Sequence, residues 1–303
     1  MTDTVAIPMT TSSSMTAPAK VNLALHITGR RDDGYHLMES LVAFTDAGDR
    51  LDVETAEADE IVVSGHFAAH VPIGGGNLIA QARDLLRASF GAQASGPVRL
   101  HLEKNLPVAS GIGGGSSDAA AALRLLRAHW RLSASDAQLS ALGLRLGADL
   151  PMCLSARPLM ARGIGEAIEE LPQFPPLPLV LVNPGIPLAT AEVFSVLTRR
   201  DNPPLPALKP LRDIAAAAEW LNAARNDLEP AARGLVPQVA DVLRALGEIG
   251  ALTARMSGSG ATCFGVFSSP FTARRAGRAL TEARPDWFVL TTGTQAAEKT
   301  HAG

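Results

Sequence analysis

The chain is poor in cysteine, in aromatic residues and in surplus positive charge, and each shortage closes off a class of function. Two cysteines in 303 residues, Cys153 and Cys263, make neither a disulfide framework nor a CxxC metal site; they read as reduced thiols in a cytoplasmic protein. Aromatics amount to 4%, with Tyr35 the single tyrosine, too few for a surface that stacks many bases. Lysine and arginine number 27 against 30 aspartates and glutamates, so the basic face of a general nucleic-acid binder is missing. No apolar run approaches the ~18 residues of a membrane span, and the first residues lack the basic start and apolar core of a secretion signal. The expectation is a monomer or weak homodimer with no nucleic-acid or membrane partner.

What is present is an ordinary globular composition, 47% hydrophobic and 19% charged, on a chain long enough for two modest domains. The Ser/Thr-rich start, 1–16, reads as a loose, disordered arm. Val21, Leu23, Leu25 and Ile27 alternate with Lys20, Asn22, Ala24 and His26, the period of a strand with one apolar face. Lys20 and Asn22 therefore share the face opposite the core. "GRRDDGYH" reads as a turn, and further strands are expected over 41–44, over 51–53, around Ile61 and along "PVRLHLEKNLP". Asn77 suits the N-cap of a helix in "LIAQARDLLRASF". Ala119, Ala122, Leu123, Leu126 and Trp130 recur at helical spacing, and a capping box read at Ser133–Asp136 opens a second helix that Gly147 stops. The proline-rich "LPQFPPLP", Leu171 to Pro178, marks a domain boundary. Strands and helices then mix without regular alternation, which predicts an α+β fold in two domains, 17–170 and 171–295, with 296–303 a frayed tail.

The functional question sits in "NLPVASGIGGGSSDAAAALRLLRAHW", residues 105–130. A helix N-terminus carries about half a positive charge, and glycines before it let the backbone approach a ligand. Gly111 to Gly115, followed by the hydroxyls of Ser116 and Ser117, therefore suit the phosphates of a nucleotide or the hydration shell of Mg²⁺. Yet the Gly-Lys-Ser/Thr of a P-loop is absent, and Asp136, the acid nearest a Rossmann ribose position, belongs to the capping box. Taken alone, the loop reads equally well as a flexible turn capped by Ser116. His66 and His70 lie four apart but bring no companion ligand, so no metal site is expected there.

Four segments in order change the balance. "APAKVNLAL", "LPVASGIGGGSSDAA", "LGADLPM" and "MSGSGATCF" resemble the motifs of the small-molecule kinase superfamily of galactokinase, homoserine, mevalonate and phosphomevalonate kinases (GHMP kinases), which use no P-loop lysine. That resemblance implies a ribosomal-protein-like N-terminal α+β domain, a ferredoxin-like C-terminal one, and ATP and Mg²⁺ as cofactors. "RRDDGYH", "NPGIPLAT" and "RNDLEP" resemble the branch whose acceptor is a methylerythritol linked to cytidine diphosphate, in the non-mevalonate route to isoprenoid precursors. Another alcohol kinase of the superfamily is the nearest alternative, and a non-catalytic nucleotide sensor a more distant one.

The resemblance also implies roles. Lys20 and Asp149 flank the acceptor hydroxyl, the ammonium offsetting charge and the carboxylate accepting the hydroxyl proton or orienting the hydroxyl. Without a P-loop lysine, Lys20 and Mg²⁺ supply the positive charge. Lys104, Pro107, Ser110, Gly111, Gly113, Gly114, Gly115, Ser116 and Ser117 hold the nucleotide. Tyr35 stacks on the cytosine, Phe194 covers its other face, and His36 bonds its edge; Asn22, Thr190, Ser257, Gly258 and Gly260 complete the acceptor site. Asp118 departs from the pattern, which implies asparagine. An acid there suits the helix dipole but repels phosphate unless it faces Mg²⁺ or solvent.

Overall fold

Two long antiparallel strands, β1 (Ser13–Arg30) and β2 (His36–Thr55), form the spine of a computed structural model that describes residues 13–72 and 74–295. The two short strands expected at 41–44 and 51–53 are parts of β2. Within the polar "TDAGD" between them, residues 45–47 bulge out opposite Ala19, and pairing with β1 resumes at Gly48 opposite Pro18. Gly48 faces Pro18 there, and a Cβ on it would lie 2.1 Å from the carbonyl oxygen of Ala17. Ser13–Thr16, the end of the expected arm, pair with Arg50–Val53 and are strand. Residues 1–12 and the expected tail, 296–303, lie outside the described residues.

β1 is covered on both faces. Lys20, Asn22 and His26 are as buried as the apolar row, because the second half of the chain packs on them: Leu25 N donates to Arg225 O, and Asp227 N to Leu25 O. The polar row therefore meets an internal site rather than water. β3 (Glu60–Ser64), α1 (Leu78–Phe90) and β4 (Val98–Glu103) follow, with β3 and β4 parallel. Asn77 caps α1 as expected, accepting from Ile79 N at 2.8 Å. α2 (Gly114–His129), α3 (Asp136–Leu146) and α4 (Leu150–Ser155) precede β5 (Leu159–Gly163) and β6 (Ala167–Glu170). The sheet order is β3-β4-β2-β5-β6, with β1 on β2. The capping box of α3 is Ser135 with Gln138, not Ser133 with Asp136. Gln138 can return a bond to the Ser135 backbone, whereas Asp136 becomes the first helical residue and pairs with Arg127.

The chain changes sheets between Glu170 and Pro178. β7 (Pro178–Asn183) leads through α5 (Thr190–Ser195), α6 (Ile214–Ala223), α7 (Glu229–Leu235) and α8 (Gln238–Glu248) to the hairpin of β8 (Thr253–Met256) and β9 (Cys263–Val266). α9 (Pro270–Ala283) and β10 (Phe288–Gly293) close it. The antiparallel order β10-β7-β9-β8 is the ferredoxin-like arrangement. Both halves contribute to one core: Ala19, Val21, Leu23 and Leu41 pack with Leu179, Leu181, Phe264 and Val266.

Gly48→Ala should force the β1–β2 bulge apart and lower the unfolding free energy by ~1–3 kcal/mol, read as a lower midpoint in urea.

Candidate active site

The glycine loop between β4 and α2 is pressed, backbone to backbone, onto the β8–β9 turn. Gly111 has φ +77°, and a Cβ there would stand 2.5 Å from Ser257 O and 2.7 Å from Gly260 N. Only glycine combines that dihedral with that approach. Thr262 N donates to Ser110 O at 3.1 Å, and Ser257 Oγ to Gly111 O at 2.9 Å. β1 joins the same knot: Lys20 N donates to Ile112 O at 2.9 Å, and Asn22 N to Ser257 Oγ at 3.1 Å. Three segments remote in sequence thus meet through main-chain contacts.

Beside the knot lies a cavity of about 740 Å³. Lys20, Asn22, Tyr35, His36, Ser110, Gly111, Gly113, Gly114, Gly115, Ser116, Asp149, Thr190, Phe194 and Gly258 line it. Lys20 Nζ donates to Asp149 Oδ2 at 2.7 Å, the lysine side chain 6% and the aspartate 38% exposed. Asp149 occupies the N-cap position of α4, but its carboxylate makes no capping bond, so it is available to Lys20 and to the cavity. Asn22 Nδ2 donates to Ser40 Oγ at 2.8 Å, while its buried Oδ1 has no partner.

The far end of the cavity is aromatic. Tyr35 is 60% exposed at the rim. Phe194, also on the cavity wall, stacks on the His36 ring, centroids 4.7 Å apart. Burial, followed by the cations of Arg200 and Arg30, holds the His36 pKa below its ordinary value. A neutral imidazole has one donor and one acceptor nitrogen, and the buried Nε2 has no partner. Thr190 and Ser259 share a hydrogen bond of 2.8 Å between hydroxyls.

Five residues expected to contact ligand do not line the cavity. Pro107 and Ser117 are buried beneath the loop; the Pro107 carbonyl accepts from Ser110 Oγ and Ser117 Oγ faces Cys153. Ser257 and Gly260 belong to the turn that braces Gly111. Lys104 departs furthest from the expectation. It is fully buried, and its Nζ donates to Asp49 Oδ2 at 2.5 Å and to Asp118 Oδ2 at 2.6 Å. Asp118 therefore faces neither solvent nor the cavity. Burial, together with the Asp49 carboxylate, outweighs the Lys104 ammonium and pushes the Asp118 pKa up to about 8. For Lys104 burial works the other way, but the two carboxylates win and raise its pKa. Asp49 gives no signal in the sequence, because an acid in the polar "TDAGD" resembles a turn residue; it also accepts from Asn105 N and Leu106 N. Burial pushes the Cys153 thiol up to about 12 and the Cys263 thiol well above its usual value, so neither is a nucleophile. Among the described residues, no three His, Cys, Asp or Glu side chains gather as a metal site, and no helix is long and apolar enough to cross a membrane.

This arrangement matches known proteins. Residues 77–157 match the GHMP kinases N terminal domain and residues 205–286 the GHMP kinases C terminal. The 4-diphosphocytidyl-2-C-methyl-D-erythritol kinase of Chelativorans sp. (strain BNC1) is 56% identical over 93% of this chain and 96% of its own. The chain belongs to this kinase family. The family member from Brucella melitensis is 53% identical over 90% of the chain and 92% of its own length. A crystal structure of a 4-(cytidine 5'-diphospho)-2C-methyl-D-erythritol kinase superposes with a TM-score of 0.78 at 35% identity, covering 93% of this chain and 99% of that one. Homoserine kinase from Cytophaga hutchinsonii, at 18% identity and TM-score 0.68 over 97% of this chain and 98% of its own, shares the fold.

The Asp118 shift has a definite sign. Its pKa rises from 3.8 unfolded to about 8 folded, so the folded state binds the extra proton between those values. The stability linked to that proton is present below about pH 4 and lost as pH rises through about 8. Asp118→Asn should remove this dependence, and its Tm relative to wild type should climb between pH 5 and pH 9 in parallel melts (about two pH units either side of neutral).

Proposed function

We propose that the chain transfers the γ-phosphoryl group of ATP to the 2-hydroxyl of 4-(cytidine 5'-diphospho)-2-C-methyl-D-erythritol. The observation that carries this reading is the Lys20–Asp149 pair, 2.7 Å apart on the wall of the cavity that the glycine loop also lines. Phosphates rest against the backbone of Gly111 to Gly115 and the N-terminus of α2, which supply amide donors and a partial positive charge. Asp149 orients the acceptor hydroxyl in line with the γ-phosphorus and takes its proton as the new O–P bond forms. The bond from that phosphorus to the β–γ bridging oxygen breaks, and ADP leaves. Lys20, held by Asp149 and largely out of water, offsets charge on the moving group.

The cytidine end falls on Tyr35, His36 and Phe194. Tyr35 stacks on the ring, and the neutral His36 offers its unpartnered nitrogen to the pyrimidine edge. Asn22 Oδ1, also unpartnered, accepts from a hydroxyl of the methylerythritol. Thr190 and Gly258 complete this wall, so residues 17–170 hold the nucleotide and part of the acceptor, and 171–295 close the acceptor side. Mg²⁺ fits the donor set in one way: on a nucleotide it takes most ligands from phosphate and water, and the Ser116 hydroxyl on the cavity wall is a suitable protein oxygen. When bound it neutralises charge on the β- and γ-phosphates.

An ATP-consumption assay across alcohols, with and without the cytidine diphosphate headgroup, tests the substrate. Turnover should require the headgroup; equal turnover of simple alcohols would overturn the reading. Asp149→Asn should lower kcat by about 10²–10⁴ with little change in either KM, and an unchanged kcat would refute its role. Tyr35→Ala should remove ~1–3 kcal/mol of stacking, raising the KM for the cytidine substrate while sparing that for ATP.

A further inference from the structure

The buried cluster of Asp49, Lys104 and Asp118 lies outside the cavity and takes no part in the steps above, yet it touches both ends of the glycine loop. At the entrance, Asp49 Oδ1 accepts from Asn105 N at 2.6 Å and from Leu106 N at 2.8 Å. At the exit, Asp118 is the fifth residue of α2, one turn in from the helix start. Lys104 Nζ bridges the two acids through the other oxygen of Asp49 and Asp118 Oδ2. The ammonium sits directly beneath α2: a Cβ on Gly114 would lie 3.0 Å from Nζ. The Lys104 backbone is fixed in turn, its N–H donating to Ser64 O at 2.7 Å and its carbonyl accepting from Phe67 N at 3.0 Å.

We propose that these three residues are positioning residues for ATP: by cross-linking the two ends of the loop from below, they hold its amides where the phosphates dock, without touching the nucleotide. The proposal rests on the reading that the loop holds the nucleotide. The loop's upper side is braced by the β8–β9 turn through Ser257 Oγ and Thr262 N, which leaves its ends to be set from beneath. Glycine-rich backbone has no side chains of its own to fix its path, and such a cradle binds tightly only if its conformation is prepaid by neighbouring structure.

Asp118→Ala cuts the tie to α2 but keeps the balanced Lys104–Asp49 pair, so it should fold. Asp118→Asn keeps an acceptor for Lys104 Nζ and adds an amide that can donate to Asp49. Titrating the full-length protein with a non-hydrolysable ATP analogue, and measuring both KM values, separates the roles. Asp118→Ala should weaken analogue binding and raise the KM for ATP about tenfold, leave the KM for the cytidine substrate within about twofold, and Asp118→Asn should restore most of the loss. Lys104→Met combined with Asp49→Asn, which removes both charges of the balanced pair and keeps an acceptor for the loop amides, should reproduce the ATP-specific defect. A folded Asp118→Ala with wild-type affinity for the analogue would overturn the proposal, as would equal defects in Asp118→Ala and Asp118→Asn, or parallel losses for both substrates. Failure of the wild type to bind the analogue would instead overturn the nucleotide reading of the loop.

Discussion

Backbone pressed against backbone at Gly111 is the contact on which the site depends. With Ser257 O 2.5 Å and Gly260 N 2.7 Å from where a Cβ would stand, the glycine loop and the β8–β9 turn are close enough for direct main-chain bonding. β1 joins them through Lys20 N and Asn22 N. These bonds set the direction of the Lys20 side chain, and with it the meeting of an amine from the first strand and a carboxylate ahead of α4. The proposed chemistry uses two side chains; their placement uses main-chain geometry from three parts of the chain.

The site sorts into two layers. Residues facing the cavity have atoms left unpaired, as with Asn22 Oδ1 and His36 Nε2, or a carboxylate partly open to solvent, as with Asp149. Most residues behind it satisfy one another: Ser257 with Gly111, and Asp49 with Lys104 and the loop amides. Leaving a buried polar atom unpaired costs ~1–3 kcal/mol, and on the cavity wall a ligand can satisfy Asn22 Oδ1 and His36 Nε2, whereas Asp118 Oδ1 stays unpaired in the supporting layer.

The cavity wall was legible because its residues lie inside short motifs with a mechanical reason for each glycine and charge. Lys20, Asp149, Gly111, Gly113, Gly114, Gly115 and Ser116 all belong to such motifs and all face the cavity. The supporting layer was not legible. Lys104 at a strand end looks solvated, and Asp49 in "TDAGDRLDV" looks like a turn residue; both are buried only because β2, β4 and α2 converge. The same polar stretch made one long strand read as two, since a strand that resumes pairing beyond a bulge breaks its alternation pattern there. The stacking of Phe194 on His36 joins α5 to the start of β2, a relation that no local pattern encodes.

The apolar core shared between the two sheets bears on how ligands come and go. Ala19, Leu23 and Leu41 on one side and Leu179, Leu181 and Phe264 on the other form a continuous interior, and prising them apart would expose apolar surface at about 25 cal/mol per Å². A clamshell hinge between the halves is therefore disfavoured. The part of the wall that meets solvent is the rim at Tyr35, 60% exposed, so a ligand path there leaves the shared core intact.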